Sequence, residues 1–173
     1  MKEVNKYLLC ILMPIVILIL ILMSSYYIIL FGEEIILKAA PVDPRDVFRG
    51  DYIELKYEIE NIRENQLKDI EIINDDEIIY GFAVLKPSNG YYKLDFITRD
   101  KPKKGIFLKC HVSKNNKFNN RKFEFKADYN IDRFYVKENT GQDIEDVSKM
   151  GDLLCKIKVY NGNSILMELY KNE

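Results

Sequence analysis

From Tyr7 to Phe31 the chain reads YLLCILMPIVILILILMSSYYIILF, twenty-five residues without a charge. As a helix at 1.5 Å per residue this stretch is about 37 Å long, enough to cross a hydrocarbon core of about 30 Å with some tilt. Lipid offers the backbone no hydrogen-bond partners, so a spanning segment satisfies its own and is helical. Pro14 is expected to kink or restart the helix near one end, and Tyr26 and Tyr27 suit the far interface. A cleaved signal peptide would have a shorter apolar core and small residues at a cleavage site. Here Ser24 and Ser25 are followed by more apolar residues, so the segment reads as an uncleaved signal anchor.

The flanks give direction. Lys2 and Lys6 precede the helix and Glu33 and Glu34 follow it, which favours an inside N-terminus. The expected organisation is a cytoplasmic tail over 1–6, a transmembrane helix over 7–31 and an extracytoplasmic domain over 32–173. Setting aside Lys2, Lys6 and Glu3, the 26 basic and 27 acidic residues of the chain become 24 and 26. A balance this even points to no nucleic-acid partner.

The outer region alternates apolar and polar residues in short runs separated by turn signals, the pattern of antiparallel strands. EEIILKAAPV leaves the membrane as a strand. DYIELKYEIE reads as one strand with Ile53, Leu55, Tyr57 and Ile59 on one face. EIIYGFAVLK and YYKLDFITR are a hairpin around PSNG; LLCKIKVY and SILMELY are another around NGN, where Asn-Gly is the strongest short-range hairpin signal. GIFLKCHV, RKFEFKADY and DRFYVKE supply further strands, and SKNNKFNNRK an exposed loop. One short helix is expected between Glu138 and Met150, capped by Thr140 or Asp143 and ended by Gly151. The fold class that follows is mostly β: an antiparallel sandwich or partly open barrel behind one transmembrane helix.

Candidate chemistry is sparse. Asp43, Asp46 and Asp51 cluster, but without the spacing of a calcium loop and with Arg45 and Arg49 among them. They read better as structural groups: Asp43 opens a turn at Pro44, Asp46 bonds nearby backbone, and Gly50 supplies an unusual dihedral. No metal or cofactor is expected. A membrane-anchored serine protease would place its nucleophile before this strand, and Leu37 to Phe48 contains no serine. Cys110 and Cys155 lie on the apolar faces of their strands, either as a disulfide, which an oxidising exterior permits, or as two buried thiols. His111 adjoins Cys110 and so points to the other face of its strand. The reading leans away from catalysis.

Gly50, Asp51, Tyr52, Leu55 and Tyr57 fill every defined position of the pattern G-D-Y-x-x-L-x-Y, after the lead-in PVDPRDVFR. With VLKPSNGYYKL, KPKKGIFLKCHV, DRFYVKENTGQDIE and KIKVYNGNSILMEL following in order, the chain resembles the GDYXXLXY family of membrane-anchored bacterial proteins. It departs from that pattern at Cys110, where a small residue is expected, and before Glu138, where a proline is. The resemblance implies a single-helix anchor with an outer β domain, no assigned activity, and a polytopic integral membrane protein as partner. Leu55 and Tyr57 are explained by packing. Tyr52 shares the opposite face with Glu54, so Arg45, Arg49, Asp51 and Tyr52, with Glu138, are the candidate partner or ligand surface; tyrosine and arginine are frequent interface anchors. The alternative is a binding module for a small ligand or envelope polymer, marked by a concave pocket beside Tyr52.

Overall fold

Period-two alternation is realised as two sheets around one core. The structure, a computed structural model, describes residues 2–41, 52–70, 77–115, 124–135 and 153–171. Helix α1 (Lys2–Phe31) continues through Pro14 without restarting. Its segment Cys10–Phe31 is long and apolar enough to cross a membrane. Nearly all of its large side chains stand exposed, clear of the domain, which fits membrane anchoring.

Strands β1 (Glu33–Pro41), β2 (Tyr52–Tyr57), β9 (Arg133–Tyr135), β10 (Leu153–Tyr160) and β11 (Asn163–Lys171) form one sheet in the order β11-β10-β1-β2-β9. The second sheet is β3 (Asn61–Ile62), β4 (Leu67–Lys68), β5 (Ile79–Ser88), β6 (Tyr91–Thr98), β7 (Phe107–Lys114) and β8 (Phe125–Asp128), ordered β3-β8-β7-β5-β6-β4. All pairings are antiparallel except that of β4 with β6. Both expected hairpins form. Their turn residues Asn89 and Gly90, and Asn161 and Gly162, all have positive φ, the geometry that Asn-Gly adopts without strain.

The inner faces meet in a single cluster. Ile35, Leu37, Leu55, Tyr57, Leu153, Cys155 and Ile157 from the first sheet pack with Ile62, Ile97, Leu108 and Val112 from the second. Cys155 pairs in register with Leu37 on β1, and Cys110 with Gly81 on β5. The two cysteines therefore belong to different sheets, and both are buried free thiols rather than a disulfide.

One expected strand is two. DYIELKYEIE is extended only to Tyr57; Glu58–Glu60 is a 3-10 turn, and β3 then lies in the other sheet. Ile59 stays buried through the bend, so the apolar period survives the change of direction. The return crossing, between β8 and β9, runs alongside. Thus β2 pairs with β9, Leu55 N–H donates to Asp132 O at 2.7 Å, and β3 pairs with β8. A bent two-stranded ribbon closes this corner of the sandwich. The expected helix over Glu138–Met150 lies outside the described residues.

Candidate functional site

The sequence-derived surface falls largely outside the described residues: Asp43, Arg45, Asp46, Arg49, Gly50, Asp51 and Glu138 all do. Of Tyr52 the backbone is described, paired with Tyr135 across the β2–β9 ladder. The remaining motif positions, Leu55 and Tyr57, are each 1% exposed and belong to the core.

Tyr57 does more than pack. It ends β2 where the ribbon bends, and its hydroxyl donates to Ile131 O in the return crossing at 2.9 Å. From that crossing Tyr129 donates its own hydroxyl to Ile59 O at 2.8 Å. Burial raises the pKa of both phenols, so each stays a donor. Beneath them, Glu60 Oε1 accepts the Tyr57 N–H at 2.8 Å, and Oε2 lies 3.4 Å from Lys126 Nζ. Burial raises the Glu60 pKa; the Tyr57 N–H and Lys126 oppose it without cancelling it. The last tyrosine of the motif is thus an architectural clamp. Cys155 lies against its hydroxyl, and burial pushes that thiol up to about 12.

A concave surface does exist, but not beside Tyr52. A groove of about 780 Å³ runs over the six-stranded sheet, between β5 and β7 on one side and the β10–β11 turn on the other. Alternation on β5 directs Tyr80 and Phe82 outward, and on β7 it directs Lys109 and His111 outward. Tyr80 and His111 meet edge to face with centroids 4.5 Å apart; Phe82 and Phe107 do the same at 5.7 Å. Tyr80 is nonetheless 72% exposed and neighbouring Ile78 62%, unusual for large apolar side chains lying side by side. Lys109 Nζ donates to Asn163 Oδ1 at 2.9 Å and its N–H to Gly162 O at 2.8 Å, which holds the hairpin turn against the edge that β7 exposes past the end of β8. Arg99 adds a second cation to the rim.

The chemistry available here is recognition by aromatic faces and cations. The groove reaches Cys110, whose thiol burial pushes up to about 12, so it is protonated at neutral pH and a poor nucleophile. Among the described residues no three His, Cys, Asp or Glu side chains gather as a metal site. Sequence reasoning placed His111 on the face opposite Cys110, as found, but missed the groove. Its walls come from segments some eighty residues apart, and the only local signal was the run of aromatics on β5, β6 and β7.

A comparison with protein families finds one match: the family described as "GDYXXLXY protein", over residues 14–169. No match is found among curated proteins or among solved structures.

Proposed function

This chain belongs to the GDYXXLXY family, and we propose that it is a membrane-anchored, non-catalytic interaction subunit that docks an exposed segment of a polytopic membrane protein. In this reading α1 spans the bilayer with its N-terminus inside and the sandwich stands on the outer side; Lys2 and Lys6 before the apolar run and Glu33 and Glu34 after it support that orientation. The observation that carries the docking role is the exposed aromatic groove around Tyr80. Gly162 lines both this groove and a crevice beside Phe31, the last residue of α1. The groove therefore opens where the helix ends, within reach of loops on a neighbouring membrane protein. The motif loop over 43–51 and Glu138 are proposed as a second part of the same partner's surface.

The alternative, a binding module for a small ligand or envelope polymer, draws on the groove's volume, which lies in the usual range of about 300–1,000 Å³ for ligand sites, and on the Tyr80–His111 pair as a stacking platform.

The test is photo-crosslinking in intact membranes, with a photoreactive phenylalanine analogue at Tyr80 and, as control, at Glu168 on the other sheet. Recovery of one polytopic protein from the Tyr80 position alone is the expected result. Equal and unspecific yields from both positions would end the docking reading and turn attention to soluble ligands.

A further inference from the structure

The loop between β6 and β7 reads RDKPKKG, Arg99 to Gly105. Taken as sequence, such a run is an ordinary solvated face. Its position in the fold gives it another meaning. The Lys101 ammonium donates to Asn161 Oδ1 in the β10–β11 turn. At its other end Gly105, Ile106 and Phe107 line a crevice of about 190 Å³ whose opposite wall includes Phe31 and Tyr160. The rings of these last two are 6.5 Å apart. The basic loop is therefore held beside the point where the apolar helix ends.

It cannot swing away from that point. Only Gly32 separates α1 from β1. The Gly32 N–H donates to Ile28 O at 2.9 Å, and Lys158 Nζ, reaching from β10, donates to Ile29 O at 2.6 Å. A lysine at this end also complements the negative pole of the helix. Ile28 is buried against the domain, so the last turn of the helix is part of the sandwich. The loop itself is pinned to β5 by Leu85 N–H donating to Ile106 O at 2.9 Å.

Lys101, Lys103 and Lys104 are exposed, and no carboxylate among the described residues pairs with them. Asp100 within the loop and Glu33 at the start of β1 are the nearby acids; they reduce the local positive charge without cancelling it. Charges feel a membrane surface only within a Debye length, about 8 Å at physiological salt. Side chains at the level of the emerging helix meet that condition, whereas the cations on the far end of the sheets do not.

We infer that this loop is a binding surface for anionic phospholipid headgroups, engaged by Lys101, Lys103 and Lys104 in the leaflet on which the domain stands. The inference rests on the membrane-anchor part of the proposed function and is independent of any protein partner. It gives the domain a second attachment to the bilayer besides its helix.

The full-length chain, with Cys10→Ala and an environment-sensitive fluorophore on Lys104→Cys, is inserted into lipid nanodiscs. The discs contain either phosphatidylcholine alone or phosphatidylcholine with about 30 mol% phosphatidylglycerol. In the anionic discs we expect blue-shifted emission and a roughly twofold to threefold loss of quenching by aqueous iodide, both abolished at about 0.5 M salt. Lys101→Glu with Lys103→Glu should abolish both at any salt, with the melting temperature unchanged. Identical emission in the two lipids would overturn the inference, as would a lipid effect that survives charge reversal. Failure of the chain to insert would overturn the anchor and both readings with it. Because the discs hold no other protein, normal insertion with no lipid effect removes this inference and leaves the docking reading standing.

Discussion

Tyr57 and Tyr129 donate across one corner in opposite directions, each from its own crossing segment to a carbonyl on the other, Ile131 and Ile59 respectively. The two crossings are the places where the chain leaves one sheet for the other, so neither has a complete ladder of backbone hydrogen bonds. The hydroxyls satisfy carbonyls that the bend removes from the ladder. A buried carbonyl without a partner costs about 1–3 kcal/mol, which gives the final position of the motif a stability role that any apolar ring would lack.

Tyr57→Phe and Tyr129→Phe are each expected to destabilise the protein by about 1–2 kcal/mol, since the ring is kept and one hydrogen bond is lost. The double variant should depart from additivity by about 0.5 kcal/mol or more, because both bonds bridge the same two segments. Urea unfolding of the full-length chain in detergent, followed by near-ultraviolet dichroism of the tyrosines, measures this. Strict additivity would mean that the two bonds act independently.

Glu60 predicts a pH dependence. Its pKa in the folded protein is raised above its ordinary value by burial, so between those two values the folded state binds more protons than the unfolded one. Stability then rises as pH falls from neutral towards the ordinary glutamate range, and the contribution is lost again as pH rises through the raised value. Glu60→Gln keeps an acceptor for the Tyr57 N–H and should flatten this slope while leaving neutral-pH stability equal or higher. Glu60→Ala, which orphans that N–H, should cost about 1–3 kcal/mol. A slope unchanged in Glu60→Gln would assign the effect to another group.

The two core thiols should be silent. With both pushed up to about 12, only about one in ten thousand is thiolate at pH 8, and both lie in different sheets. Iodoacetamide should therefore modify Cys110 and Cys155 only after denaturation, and air oxidation should leave the intact mass unchanged. A loss of two mass units from the folded chain would restore the disulfide.

Gly32 is sensitive for a steric reason. A Cβ there would lie 2.2 Å from Ile28 O and 3.2 Å from Lys158 Cβ, so Gly32→Ala must open the junction between helix and sheet. Spin labels at Tyr26→Cys and Glu168→Cys, with Cys10→Ala, should give a narrow distance distribution with Gly32 and a broad one with alanine. Equal widths would show that the junction does not hold the domain in place.

The features legible in the sequence were those whose cause is local. A charge-free run of this length has few solutions other than a membrane helix, and Asn89-Gly90 and Asn161-Gly162 carry their turn geometry in their own dihedrals. The bend after Tyr57 was hidden because Leu55, Tyr57 and Ile59 all remain buried: the period of two reports which face is inward, not which sheet the face belongs to. β3 and β4, at two residues each, are too short to show any period, and the parallel pairing of β4 with β6 depends wholly on tertiary placement. The groove was illegible for the same reason. Tyr80 and His111 are neighbours only because Tyr80 faces His111 across the β5–β7 ladder, and Lys109 meets Asn163 only because a hairpin turn fills the space left where β8 departs.

The charge-free run from Tyr7 to Phe31 is longer, as a helix, than a typical hydrocarbon core is thick, and a helix in that position leans to hide its excess length. Most anchored domains would absorb such a lean in a flexible tether. Here the tether is one glycine, latched by Lys158, so helix and sandwich form a single lever with its fulcrum at the interface. A thin bilayer then tips the whole domain and a thick one stands it upright. Bilayer thickness thereby becomes a variable that sets where the Tyr80 groove points.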